Sequence, residues 1–110
     1  MAAIRVNAAR WEELSPKHQS MVVKTLVDQG VLAEGDTIVG DEAMAMVSYP
    51  GEKPAAARDA TNACVDGCWH AAEMAYAVCV QHGGAHFVCS QAMEMHFKFC
   101  VAELCPEVLR

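Results

Sequence analysis

Apolar residues near the start of the chain recur at Ile4, Ala8 and Trp11, an i, i+4, i+7 spacing that predicts a short helix resting on the molecule through Trp11. Ser15-Pro16 forms an N-cap and first-turn pair. Beyond it, Val22, Val23, Leu26 and Val27 share one side, and Gly30 stands where a helix would stop. A second helix is therefore expected to about Gln29. Thr37-Ile38-Val39 and the run from Ala43 to Tyr49 read as two short strands about Gly40-Asp41-Glu42, a β-hairpin, although Ala and Met are poor strand formers. Pro50-Gly51 breaks the pattern, and Glu52, Lys53 and Pro54 make a polar start for a new helix. The boundary falls there: residues 1–51 form an N-terminal helical segment with a β-hairpin, serving as lid, leader or partner surface, and residues 52–110 form a cysteine-rich part.

From Ala55 to about His82 nothing breaks a helix, and the Ala-rich composition favours one. Gly83-Gly84 then makes a turn, a further helix runs to Leu104, and Pro106 ends it. The expected fold is mainly α, with a C-terminal antiparallel helical hairpin.

All six cysteines lie in that hairpin, spaced Cys64-x3-Cys68-x10-Cys79-x9-Cys89-x10-Cys100-x4-Cys105. At 100° per residue, Cys68 and Cys79 fall about 20° apart on the first helix and Cys64 about 40° to the other side. Cys89 and Cys100 are again about 20° apart, whereas Cys105 lies about 140° from Cys100 unless the helix has already ended. Equal arms turning at Gly83-Gly84 bring Cys79 opposite Cys89, Cys68 opposite Cys100 and Cys64 near Cys105. Nested bridging is then the natural proposal among 15 connectivities, with other pairings and free thiols still open. Bridges draw Cβ atoms closer than ordinary helix packing does, so small residues are needed between them, and Ala71, Ala72, Ala75 and Ala92 supply these.

Two C-x10-C helices joined by nine residues resemble the twin C-x9-C hairpins of the coiled-coil-helix-coiled-coil-helix (CHCH) proteins, over Cys68 to Cys100. The resemblance implies two nested disulfides, Cys68 to Cys100 and Cys79 to Cys89, introduced in an oxidising intermembrane-type space. Some members of that family carry copper. This chain departs from the pattern in using ten intervening residues twice and in adding Cys64 and Cys105.

Each hairpin helix carries a narrow polar stripe: Asp66, His70, Glu73 and Gln81 on the first, Gln91, Glu94 and Lys98 on the second. The apolar flanks, including Trp69, Tyr76, Met74 and Val78 and then Phe97, Leu104, Met95 and Phe99, are wider than one partner helix can cover. Either the N-terminal helices cover them or they serve a protein partner, self-association or a membrane surface.

The bulk numbers narrow the classes. A chain of 110 residues suits one small domain, and 54% apolar content argues for a packed one. Eight basic against 14 acidic residues give a net charge of -6, without the basic face that a nucleic acid would need. The first residues lack the apolar core of a classical signal peptide, and His82, Gly83, Gly84 and His86 interrupt the longest uncharged stretch, so no transmembrane span is expected. Three compartments fit: a reducing cytosol with metal-bound thiols, an oxidising intermembrane-type space, or export without a classical signal.

Candidate chemistry centres on the turn. Cys79, His82, His86 and Cys89 form a C-x2-H-x3-H-x2-C set, four ligands able to surround Zn²⁺ or Cu(I), with Gly83 and Gly84 letting the turn fold inward. That set competes with a Cys79–Cys89 disulfide. Met93-x-Met95-His96 and Met44-x-Met46 resemble soft copper ligands, but Met at these spacings more often fills a core, and His96, alone on the cysteine face, is expected to be a satisfied core histidine. There is no C-x2-C redox pair and no nucleophile with a recognisable base, so no catalytic residue is assigned. The leading expectation is a non-catalytic cysteine-rich module held by disulfides or by Zn²⁺ or Cu(I). The alternatives are the precursor of a secreted or membrane-active, bacteriocin-like peptide with an N-terminal leader, and an accessory subunit of a larger enzyme.

Overall fold

A computed structural model describes residues 2–53 and 62–106. Its element order is β1 (Ala3–Asn7), α1 (Ala8–Glu12), α2 (Pro16–Asp28), β2 (Thr37–Asp41), α3 (Ala63–Gln81) and α4 (His86–Leu104).

The two long helices form the expected hairpin, and their ends show why. Asn62 caps α3, its side-chain oxygen accepting from the backbone N–H groups of Cys64 and Val65 at 2.8 and 3.3 Å. At the other end Gly83 adopts φ +82, and the N–H groups of Gly83 and Gly84 reach back to the carbonyls of Val80 and Cys79. This is a Schellman closure, which favours glycine because a left-handed residue follows the helix. Gly84 is needed for a different reason, since a Cβ there would stand 2.5 Å from Cys89 Sγ and 2.8 Å from Cys79 Sγ. The expected helix start at Pro54 lies outside the described residues.

The N-terminal half differs from expectation in one respect. Thr37 to Asp41 is a strand, but its partner is β1, in parallel register from Ala3 opposite Thr37 to Asn7 opposite Asp41. Ile4 therefore belongs to a strand, and the predicted first helix shortens to Ala8–Glu12. The stretch from Ala43 to Tyr49 forms no second strand of a hairpin. Asp41 Oδ1 accepts from the Ala43 N–H at 2.8 Å and Asn7 Nδ2 donates to the Met44 carbonyl at 3.0 Å, which turns the chain off the sheet. Asp36 ties the start of the pair, accepting from the N–H groups of Ala33 and Ala2 at 2.9 and 2.8 Å, and these bonds hold its carboxyl below the usual carboxylate range.

α2 matches its prediction: Ser15 Oγ accepts from the His18 N–H, Pro16 is the first helical residue, and Gly30 ends the helix. Its apolar side lies against the back of α3, where Val22 and Leu26 pack in one cluster with Val6, Leu32, Ala71, Ala75 and Val78. A second cluster fills the inside of the hairpin around Cys68, Trp69, Ala72, Tyr76, Met93, Phe97 and Cys100. Of the four alanines expected between the bridges, only Ala72 belongs to that inner cluster. Ala71 and Ala75 instead let α2 approach α3, and Ala92 is half-buried at the edge, its carbonyl accepting from Gln29 Nε2 at 3.4 Å. The arm after β2 crosses the hairpin near its turn. Tyr49 meets Trp69 and Tyr76 edge-on, stacks on His86, and pairs its hydroxyl with Ser90 Oγ at 3.0 Å. Residues from both parts of the chain thus share packing with α3.

Candidate functional site: the cysteine ladder

Three bridges cross the hairpin in nested order: Cys64–Cys105, Cys68–Cys100 and Cys79–Cys89, with Cα separations of 5.9, 5.6 and 5.6 Å. All six cysteines are paired. The pairs are those that equal arms about Gly83-Gly84 produce, and the inner two are also those the CHCH resemblance implies. Cys105 reaches its partner because α4 ends at Leu104. The backbone of Cys105, at φ -129 and ψ 50, has left the helix, which removes the 140° mismatch of an unbroken one.

The ladder is not uniform. Cys68, Cys89, Cys100 and Cys105 are fully buried and Cys79 nearly so, whereas Cys64 is half-buried at the first turn of α3. The two outer bridges touch, with Cys68 Sγ 3.9 Å from Cys105 Sγ. Cys64 Sγ lies 3.1 Å from the Leu104 carbonyl, which closes the open end of the hairpin.

The four-residue metal set predicted at the turn is not assembled. Cys79 and Cys89 are joined to each other and so present no thiolates, His82 is exposed at the end of α3, and His86 Nδ1 pairs with the Tyr76 hydroxyl at 2.9 Å. The methionines do not converge either. Met93 is buried inside the hairpin, Met95 is half exposed, and Met46 lies on the arm beside Arg10. His70 stands on the polar stripe between Asp66 and Glu73, 3.3 and 3.8 Å from their carboxylates.

Sequence reasoning did not single out His18, on the first turns of α2. Its ring lies over Gly67 of α3, where a Cβ would come within 2.9 Å of Cε1 and Nε2. A glycine inside a helix costs about 1 kcal/mol relative to alanine, so its use here makes sense as a seat for that ring. His18 Nδ1 pairs with Ser15 Oγ at 2.6 Å, while its buried Nε2 has no hydrogen-bond partner. A ring nitrogen of His18 and the sulfurs of Cys68 and Cys100 lie within 4.8 Å of one another. The available signal was weak: an unexplained Gly67 beside Cys68 and a histidine three residues after an N-cap serine.

His96 also departs from expectation. It is fully buried, and neither ring nitrogen has a hydrogen-bond partner. Burial, with His18 nearby, pushes its pKa down to about 4, so the ring is neutral.

Elsewhere, the cleft between β1 and α3, lined by Asn7, Arg10, Met46, His70 and Glu73, holds only about 20 Å³. That admits one water, against the ~300 Å³ or more of a typical small-molecule site. The outer side of α4 is more open: Phe87, Val88, Met95 and Phe99 are 70, 57, 50 and 53% exposed. Among the described residues no helix is long and apolar enough to cross a membrane. No family model, curated protein or solved structure matches the chain.

Proposed function

We propose that this chain is a non-catalytic, disulfide-clamped helical-hairpin module that works by binding protein through the outer face of α4, and that its partner is a second copy of itself. The observation that carries this is the exposed row on α4. Val88, Ala92, Met95, Phe99 and Ala102 follow a 4-3-4-3 spacing, the a/d pattern of a two-helix seam, and all are exposed except half-buried Ala92. Among the described residues, four of the six large exposed apolar side chains, Phe87, Val88, Met95 and Phe99, lie on this helix. The row repeats as a helix partner's would and lies on a helix clamped to its neighbour by three bridges, which lowers the entropy cost of docking. The α2–α4 groove beside it, about 310 Å³ and lined in part by Met21, Gln29, Met95 and Phe99, extends the apolar surface.

The bridges would be introduced in an oxidising compartment, the setting that the CHCH resemblance implies. Reduced, the same cysteines are ligands of the kind that hold Zn²⁺ or Cu(I), and metal would then replace the bridges as the clamp. Sedimentation equilibrium of the oxidised protein tests the binding role. A concentration-dependent dimer is expected, and a monomer at all accessible concentrations would refute it.

A second reading is favoured by the packing of α2. Removing residues 1–53 would bare Ala71, Met74, Ala75 and Val78 on the back of α3, leaving a hairpin apolar on both sides, as a membrane-acting peptide released from a leader would be. Mass analysis of the natural product distinguishes the two, since a processed hairpin alone would support release.

A further inference from the structure

We propose that the Cys68–Cys100 bridge masks a zinc site: when this disulfide is reduced, Cys68, Cys100 and His18 bind one Zn²⁺ inside the molecule. The inference rests on the reading of the hairpin as a clamped module and assigns the metal form of that clamp to a place the turn motif does not occupy.

Five observations meet there. A His18 ring nitrogen and the two sulfurs lie within 4.8 Å of one another, so modest adjustment brings all three onto one ion with bonds of about 2.0–2.3 Å. His18 Nε2 is buried and unpartnered, an expense that a metal bond would remove. Ser15 Oγ holds Nδ1 at 2.6 Å, and in the tautomer that donates Nδ1–H to Ser15, Nε2 presents its lone pair, the outer-shell arrangement of a metal-binding histidine. Gly67 gives the ring room to sit against α3. Cys105, with Sγ 3.9 Å from Cys68 Sγ, stands ready as a fourth ligand. In the oxidised state the sulfurs of Cys68 and Cys100 are spent on each other, so disulfide and metal exclude one another here.

The chemistry balances with a dithiol as reductant. Half-buried Cys64 is the point of entry: a dithiol thiolate attacks Cys64 Sγ, and Cys105 leaves as a thiolate. The 3.9 Å contact then lets the Cys105 thiolate attack Cys68, expelling the Cys100 thiolate. In total, two dithiols become two cyclic disulfides, and Cys64, Cys68, Cys100 and Cys105 become thiols. Zn²⁺ then displaces the protons of the thiols that ligate it.

The test is anaerobic titration of the full, reduced chain with Co²⁺, a coloured stand-in for Zn²⁺, with Zn²⁺ competing it off. One equivalent is expected, giving thiolate-to-cobalt charge transfer and the intense visible bands of a tetrahedral site. His18→Ala should weaken binding at least tenfold, and Ser15→Ala about tenfold. The double variant Cys79→Ser, Cys89→Ser should leave affinity within twofold, because its cysteines belong to the other end of the hairpin. No thiolate bands, full affinity in His18→Ala, or loss confined to the Cys79/Cys89 variant would each overturn the proposal. Melting the oxidised His18→Ala protein confirms that it folds. Circular dichroism of the reduced, metal-free chain reads the clamp separately: an unchanged melting temperature would refute the clamp and leave the titration to judge the site.

Discussion

Nesting should nearly level the ranking of the three disulfides that their sequence separations suggest. Taken alone, Cys64–Cys105 closes the longest loop, 41 residues, against 32 for Cys68–Cys100 and 10 for Cys79–Cys89. In the chain-entropy account a 41-residue closure constrains the unfolded state by about 3.9 kcal/mol and a 10-residue closure by about 2.7 kcal/mol. With its neighbours intact, however, the outer bridge closes only the short arms from Cys64 to Cys68 and from Cys100 to Cys105, a ring of roughly 9 residues worth about 2.6 kcal/mol. The middle bridge divides a ring of roughly 31 residues, already closed by its two neighbours, into rings of roughly 22 and 9 and adds about 2.3 kcal/mol, and the inner bridge by the same reckoning also adds about 2.3 kcal/mol. Loop closure alone should therefore leave the three Cys→Ala pairs within about 0.3 kcal/mol of one another, against the roughly 1.2 kcal/mol between outer and inner bridges that their separate loops imply. Burial then sets the order of the middle and outer pairs, since Cys68 and Cys100 are both fully buried and Cys64 is not, so removing the middle pair leaves the larger void and should cost at least as much as removing the outer pair. The assay is denaturant unfolding of the three double variants under non-reducing conditions. A loss for the outer pair that exceeds the loss for the inner pair by about 1.2 kcal/mol, the gap between their separate loops, would refute the nested-loop reasoning.

Further outcomes follow from single side chains. His96 has a folded-state pKa of about 4 against 6.5 for the free group, so as pH falls the unfolded chain takes up the proton first. Stability should be intact above pH 6.5 and decline by up to about 3 kcal/mol between 6.5 and 4, and His96→Leu should flatten that decline in pH-dependent melts. Gly84→Ala should cost about 1–3 kcal/mol or block formation of Cys79–Cys89, because its Cβ meets both sulfurs. Gly83→Ala, with open space but φ +82, should cost only about 1 kcal/mol, and thermal melts rank the two. Met95→Glu with Phe99→Glu should abolish the dimer in sedimentation while leaving the unfolding free energy of the monomer within about 1 kcal/mol of the parent, since both side chains face solvent.

Much of the hairpin was legible in the amino-acid order because its determinants are local. The 3.6-residue period put the cysteines on one face, Gly83-Gly84 set the turn, and equal arms then left one register. Ser15-Pro16 and Gly30 marked α2 for the same reason. The sheet was not legible: a strand of five residues has too little pattern of its own, and β1 and β2 pair across 34 positions of chain, so nothing local near Thr37 points to Ala3. Which flanks α2 would cover was likewise a matter of packing. It seals the back of α3 through Ala71 and Ala75 and leaves Met95 and Phe99 on α4 open.

The candidate site divides along the same line. The sequence by itself determined that Cys64, Cys68 and Cys79 face Cys89 and Cys100, since helical periodicity and a central turn suffice for that, whereas Cys105 joins them only because α4 ends at Leu104. Only the tertiary structure decided that Cys79 and Cys89 are joined, which removes the turn motif's thiolates, and that His18, 50 residues from Cys68, seats its ring on Gly67 beside the middle bridge. The physical reason is that a ligand set gathered from separate elements leaves no spacing to read. It exists only once α2 has packed against the hairpin.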